Sequence, residues 1–361
     1  MTPPRATTSE RGSKAASRWR RDQAAMPDST AHPPARSGKG YPMTSDFNEN
    51  ARRLRNAVEP VAAGVYFAPE AHAAYEALGF DGSPPASKDG IARPELKSYF
   101  TSRGACMGQV PGEVVAAAFG VFNPRFVVPG VAAGWQITSR AAILQAREQA
   151  ATAMLTRVLG EQPEGLGRVT DLLRRAADAA PWAGRPIYGG LRSLGFPDHP
   201  LGATWRAADL LREHRGDSHV ISWAVGGADA VEILLLTEQW WGVPARSYTP
   251  SRGWSDADMD AGFDRLTRRG LMGDGEQLTD AGRAFREEVE VRTDELERPV
   301  LDALGEDLEE LLEHLDAWSE AIIAAGSYPK RIAGVYNVGG GPHFGSGLTI
   351  DTAAEQYENK P

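Results

Sequence analysis

Apolar residues recur at three- and four-residue spacings through most of the chain between residues 51 and 322, the period of helices with one buried face. The stretch 139–160 shows it best. Ser139 is a capping residue, Ile143, Ala146, Ala150, Met154, Leu155 and Val158 share a face, and Gly160 is a stop. Residues 51–60 start a helix that Pro60 bends or ends. Pro69-Glu70 opens another, carrying Tyr75 and Leu78 up to Gly79. An apolar run over 114–122 is broken by Asn123-Pro124, and a short helix covers 166–179.

Beyond residue 203 the spacing predicts Thr204 as the cap of a helix Trp205–His214. A second helix is capped by Asp217 or Ser218 and runs toward Gly227, and a third covers 229–240. Ser255 caps a helix whose buried stripe is Met259, Phe263 and Leu266. Leu271-Met272 and Gln277-Leu278 flank Gly273-Asp274-Gly275-Glu276, the pattern of a tight β-hairpin, and Thr279 caps a long helix with Ala281, Phe285 and Val289. The expected fold is therefore mainly α: a helical N-terminal domain (47–200), then a winged helix-turn-helix domain with a small β-hairpin (203–298). A C-terminal helical extension (299–325) follows, flanked by a disordered segment (1–46) and a flexible tail (326–361). In the extension, Leu301, Leu304, Leu308, Leu311, Leu315, Trp318 and Ile322 form a seam of coiled-coil spacing. That seam predicts a homodimer, with Gly305 as a break and packing on the chain's own body as the alternative.

Composition narrows the function classes. The 361 residues contain one cysteine, Cys106, so neither an internal disulfide nor a cysteine zinc site is available. There is no apolar run long enough for a membrane helix, and the twin Arg20-Arg21 lacks the apolar stretch of a transport signal, so a cytoplasmic location is expected. The net charge is −9 and unevenly placed. Residues 1–42 hold 8 basic against 3 acidic side chains, but 204–298 hold 12 against 19 and 299–361 hold 3 against 11. The would-be recognition helix opens on Asp256, Asp258, Asp260 and Asp264, and the wing carries Asp274 and Glu276. Carboxylates there oppose phosphate, so strong sequence-specific DNA binding is not expected.

The segment 264–282, with its Arg-Gly-Leu and Leu-Thr-Asp-Ala-Gly landmarks, resembles the recognition-helix-and-wing segment of the MarR family. Residues 51 to about 320 resemble more specifically an actinobacterial helix-turn-helix family. The resemblance rests on Glu59-Pro60, Tyr66-Phe67-Ala68-Pro69-Glu70, Tyr99-Phe100-x-x-Arg103, Phe122-Asn123-Pro124 and Leu211-Arg-Glu-His-Arg-Gly-Asp-Ser-His219. The chain departs from that family at Ala62, where a histidine is usual, and at Cys106. The resemblance implies the fold and assigns no chemistry; MarR-like proteins also commonly dimerise through terminal helices.

The candidate site follows from side-chain chemistry. His214, Asp217 and His219 make the densest polar run, suited to a small-molecule site at a helix corner. Arg103 beside Tyr99 and Phe100 suits the acid group of an otherwise apolar ligand, with Glu70 as its structural alternative partner. Trp223 belongs to a tryptophan-rich stretch that could line an aromatic pocket. No cofactor fingerprint occurs and no metal site is expected, because the two histidines stand five apart. The function expected is a winged-helix protein binding a small apolar or aromatic molecule. The alternatives are an enzyme of specialised metabolism using an interdomain pocket and a MarR-type ligand-responsive regulator.

Overall fold

A computed structural model describes residues 44–84, 91 and 93–329, and these fall in one compact unit. The disorder expected for residues 1–43 and most of the expected tail lie outside the described residues. The α-helices are α1 (Thr44–Ala63), α2 (Pro69–Leu78), α3 (Leu96–Gly104), α4 (Gly112–Phe119), α5 (Pro124–Ile137), α6 (Arg140–Leu159), α7 (Leu166–Ala179), α8 (Pro186–Arg192), α9 (Pro200–Val225), α10 (Ala230–Trp240), α11 (Asp256–Arg268), α12 (Asp280–Leu296), α13 (Arg298–Leu304) and α14 (Leu308–Ala324). Their starts follow local chemistry. The Ser139 side chain accepts from Ala142 N–H, Thr279 from Gly282 N–H, and Ser255 forms a capping box with Asp258. Pro60 sits inside the last turn of α1 rather than ending it.

The central element is α9. Its 26 residues span about 39 Å, and it packs along α1, α7, α8 and α12. Two helices separated by a corner were expected here; the chain makes one. Thr204, Ser218 and Ser222 are not caps, because each hydroxyl donates to the carbonyl four residues back, to Pro200, His214 and Ser218 respectively. Gly216 stays helical. Asp217 caps a different helix: its Oδ2 accepts the Ile187 and Tyr188 N–H groups at 3.0 Å each, closing the start of α8.

One large apolar cluster runs from Phe47 through Leu211 and returns with Val300–Tyr328. The C-terminal seam belongs to it. Leu304, Leu308, Leu311, Leu315, Trp318 and Ile322 are buried, α14 lies along α1, and Ser319 Oγ donates to Ala57 O at 2.8 Å. The seam that suggested a homodimer is thus covered by the chain's own body. Gly305, at φ 54°, separates α13 from α14. Three smaller clusters surround α10, α11 and α12, built on Val231, Leu235, Met259, Phe263 and Leu266, on Leu234, Trp240, Trp241 and Tyr248, and on Trp223, Ile233 and Val289.

The expected winged domain is absent: among the described residues every regular element is helical and no β-strand occurs. Between Gly270 and the cap Thr279 only eight residues remain. Asp274–Glu276 form a 3-10 turn, with Gly275 and Glu276 at φ 67° and 60°, and a single bridge joins Met272 to Leu278. The Asp-Gly signal is real as a turn. Its arms are too short to become strands, because Leu271 N–H is held by Leu266 O behind it and Thr279 is committed to capping α12. The fold is all-helical. The winged-helix and MarR-type readings of function fall with the hairpin that carried them.

Candidate ligand-binding cavity

A cavity of about 250 Å³ lies where the large cluster meets the smaller ones. The second half of α9 forms one wall, with Arg212, Arg215, Gly216, His219, Val220 and Trp223. Opposite stand α1, α3–α4, α10, the 3-10 turn Thr249–Arg252 and α12. The cavity exceeds the ~150 Å³ that holds benzene and falls just under the usual span of ligand pockets, about 300–1,000 Å³. Its apolar side is aromatic. Tyr99, Phe119 and Phe122 line it, and with Tyr66 and Phe100 they form a buried cluster of tilted and edge-to-face rings with centroids 5.0–6.3 Å apart. Trp223, Ile233, Leu234 and Trp241 continue that surface.

Its polar side is dominated by arginine. Arg55, Arg103, Arg212, Arg215, Arg252 and Arg286 line the cavity against Glu59, Glu290 and Glu297. Arg103 is committed: its Nε and Nη2 reach Glu213 at 2.9 and 2.7 Å, and its guanidinium lies 4.3 Å from the Phe119 ring centroid. Arg212 gives Nε and Nη2 to Glu59 and Nη1 to Glu213. Burial pushes the Glu213 carboxyl up, but Arg103 and Arg212 outweigh it and hold it down at about 2.

The other group centres on Glu290. Its Oε1 accepts from Arg55 Nη1 at 3.1 Å and Arg215 Nη2 at 2.7 Å, and its Oε2 from Arg286 Nη1 at 3.0 Å. Arg215 Nη2 also reaches Asp294, whose other oxygen takes Arg52. Burial opposes the Glu290 charge, yet the three arginines hold its carboxyl well below the ordinary range. Arg55 is lowered to about 10 by burial, against the pull of Glu290, and it keeps its proton at neutral pH. His219 is pushed down to about 3, first by burial and then by the Arg286 charge, so its imidazole is neutral. The Thr293 hydroxyl donates to Val289 O, so it accepts from His219 Nδ1 at 3.2 Å and fixes the tautomer with a lone pair on Nε2. Such a histidine is a weak base and a good acceptor.

Two lining side chains hold buried donors that make no hydrogen bond to the described residues: Arg215 Nη1 and Trp223 Nε1. Both residues are more than nine-tenths buried, at 7% and 8% exposure. A buried donor left unmatched costs about 1–3 kcal/mol, more when charged, so each favours taking a partner.

Of the residues singled out in the sequence, Arg103, His219 and Trp223 therefore line the cavity. His214 does not. It is fully buried, with Nδ1 2.8 Å from Glu297 Oε1 and its ring edge-on to Tyr188 at 5.1 Å. Asp217 is buried at the start of α8; burial first and then the Glu213 charge push its carboxyl up to about 7, against the two N–H groups it accepts. Glu70 lies elsewhere, paired with Arg157 at 2.5 Å. Cys106 is buried, its thiol pushed up to about 12 by burial, and it donates weakly to Arg103 O and Ile187 O. Among the described residues no group of three or more His, Cys, Asp or Glu side chains is placed to hold a metal ion. No single described helix is long and apolar enough to cross a membrane.

Arg55, Tyr248, Arg252, Arg286 and Glu290 carry much of the site and were not singled out. A signal existed on α12: Arg286, Glu290, Thr293 and Glu297 recur at spacings of four, three and four, the period of a buried helix face.

No curated protein and no solved structure matches the chain. A profile described as a helix-turn-helix family matches residues 51–329, well over half its length, and the chain belongs to that helix-turn-helix family.

Proposed function

We propose that the protein is a small-molecule binder that takes a compact aromatic or largely apolar ligand, of one or two rings, into the cavity beside α9. The observation that carries this reading is the pairing of an aromatic wall with the buried, unmatched donors of Arg215 and Trp223. A packed core would seal such a space with side chains. Binding fits better than acid–base catalysis, since the lining histidine is held far from a useful pKa and the cysteine is buried and protonated.

Gly216 supplies the test. It lines the cavity in mid-helix, and a Cβ built there would meet only Glu213 Oε2, at 3.6 Å. Gly216→Leu should keep the fold and fill the space. Calorimetric titration with one- and two-ring aromatic acids and amides should give saturable binding to the wild-type protein and at least a tenfold loss in the variant. Binding unchanged by Gly216→Leu, in a variant that melts normally, would place the ligand elsewhere and end the proposal.

A further inference from the structure

The lining arginines differ in how completely they are satisfied, and that difference identifies the ligand's polar group. Arg212 gives all three nitrogens to Glu59 and Glu213. Arg103 gives two to Glu213 and turns its third toward the Tyr99 hydroxyl at 3.4 Å. Around Glu290 the position is otherwise. Arg215 concentrates its bonds on Nη2, which serves both Glu290 and Asp294, and leaves Nη1 without a partner. Arg286 gives Nε to Thr237 and Nη1 to Glu290.

The acids there are each held by neighbouring arginines or by a histidine. Arg52, Arg55, Arg215 and Arg286 share Glu287, Glu290 and Asp294, while Glu297 turns to the imidazole of His214. Glu297 lines the same cavity, so four guanidiniums face four carboxylates, and among these arginines Arg215 has the buried nitrogen to spare. His219 beside them is depressed first by burial and then by Arg286, Arg215 and Arg55, against the pull of Glu290.

We infer that the natural ligand is an aromatic or aromatic-like carboxylic acid, its carboxylate received at Arg215 Nη1 beside Arg286 and its ring set against Phe119, Phe122 and Trp223. Trp223 lies eight residues further along α9, about 12 Å of helix rise from Arg215. Its unmatched Nε1–H marks a second acceptor position, for a hydroxyl or carbonyl oxygen at the far end of the ligand. The carboxylate completes the count of Arg215 donors, so the acid gains a charge-assisted bond that its amide lacks.

This inference rests on the cavity being a ligand site, and the two are separable by experiment. 1-Naphthoate and 1-naphthamide, matched in shape, are titrated into wild-type protein by calorimetry. The acid is expected to bind at least about tenfold more tightly. Arg215→Gln should abolish that preference. Since Arg215 also holds Glu290 and Asp294, Trp223→Phe serves as the milder second variant. Paired with probes bearing a 4-hydroxyl, it should weaken their binding about three- to tenfold more than that of the unsubstituted acid, which loses only ring contact. Equal binding of acid and amide, both lost in Gly216→Leu, would overturn the carboxylate assignment and keep the binding site. Binding of neither probe to the wild-type protein would overturn both.

Discussion

The two halves of α9 share one helix and do opposite things. From Leu201 to Leu211 nearly every side chain is buried in the large cluster: Trp205, Ala207 and Ala208 at 0% exposure, Leu210 and Leu211 at 3% and 4%. Even the charge there is sealed. Asp209 is met by Arg147 Nη2 at 3.0 and 3.1 Å, with the Tyr66 hydroxyl on the same nitrogen. From Arg212 onward the helix carries Arg212, Arg215, Gly216, His219 and Trp223 along the edge of a cavity. The first half faces packed interior, although Arg206 there also keeps one buried nitrogen, Nε, without a hydrogen bond. The second keeps donors in reserve and has a glycine where a side chain would close the space. Neither buried charge nor an unmatched donor alone therefore marks a site; what separates the halves is whether such groups border the cavity.

The largest expected effect lies in the first half. Trp205→Ala removes a fully buried ring sandwiched between the Arg147 and Arg206 guanidiniums, each 5.3 Å from its centroid, together with the Nε1 bond to Ala62 O at 3.1 Å. Chemical denaturation should show a loss of about 3–5 kcal/mol. A loss below about 1 kcal/mol would mean this half is not the packed element described here.

Next in size is a pH effect at the junction between the halves. Asp217 rises from 3.8 to about 7 on folding, so between about pH 4 and 7 the folded state keeps a proton that the unfolded state releases. Its contribution is therefore full below the unfolded pKa and is lost as pH rises through that window. His219 works the other way, because its lowered pKa favours folding as pH rises through the same range. The difference between wild type and Asp217→Asn isolates the carboxyl. The variant should gain stability relative to wild type as pH climbs from 4 to 7, and parallel pH profiles would contradict the assignment.

The smallest effect should have the opposite sign. Gly216→Ala adds a methyl group with room around it in mid-helix, so it should stabilise the fold by up to about 1 kcal/mol. Thermal unfolding would show a higher midpoint. A lower one would mean that the helix needs glycine for its backbone, and that the cavity edge is not what keeps residue 216 small.

Much of the helical layout was legible because it depends on local chemistry. Ser139, Ser255 and Thr279 cap the helices that their spacing announced, and Gly79 and Gly160 end theirs. What was not legible depends on partners far away in sequence. The run His214–His219 contains Gly, Asp and Ser, and reads locally as a corner. Packing on α1, α7, α8 and α12 makes it helix interior, and Asp217 finds its amides on α8 instead. Five residues of helix turn about 140°, so His214 and His219 face different surroundings, the first toward Glu297 and the second toward the cavity. The Asp-Gly turn has the same local signature whether its arms grow into strands or stop after one bridge. For α12 the spacing announced only Ala281, Phe285 and Val289, while its Arg286–Glu290 pair lies buried beside the cavity at 1% and 3% exposure.

The central claim is that the reserved donors of α9 belong to a ligand. A crystal structure of the protein with saturating 1-naphthoate tests it most directly. The account predicts the ring between Phe119, Phe122 and Trp223, with a carboxylate oxygen within hydrogen-bond distance of Arg215 Nη1. Density for the compound only on the outer surface, with the cavity holding water alone, would contradict it.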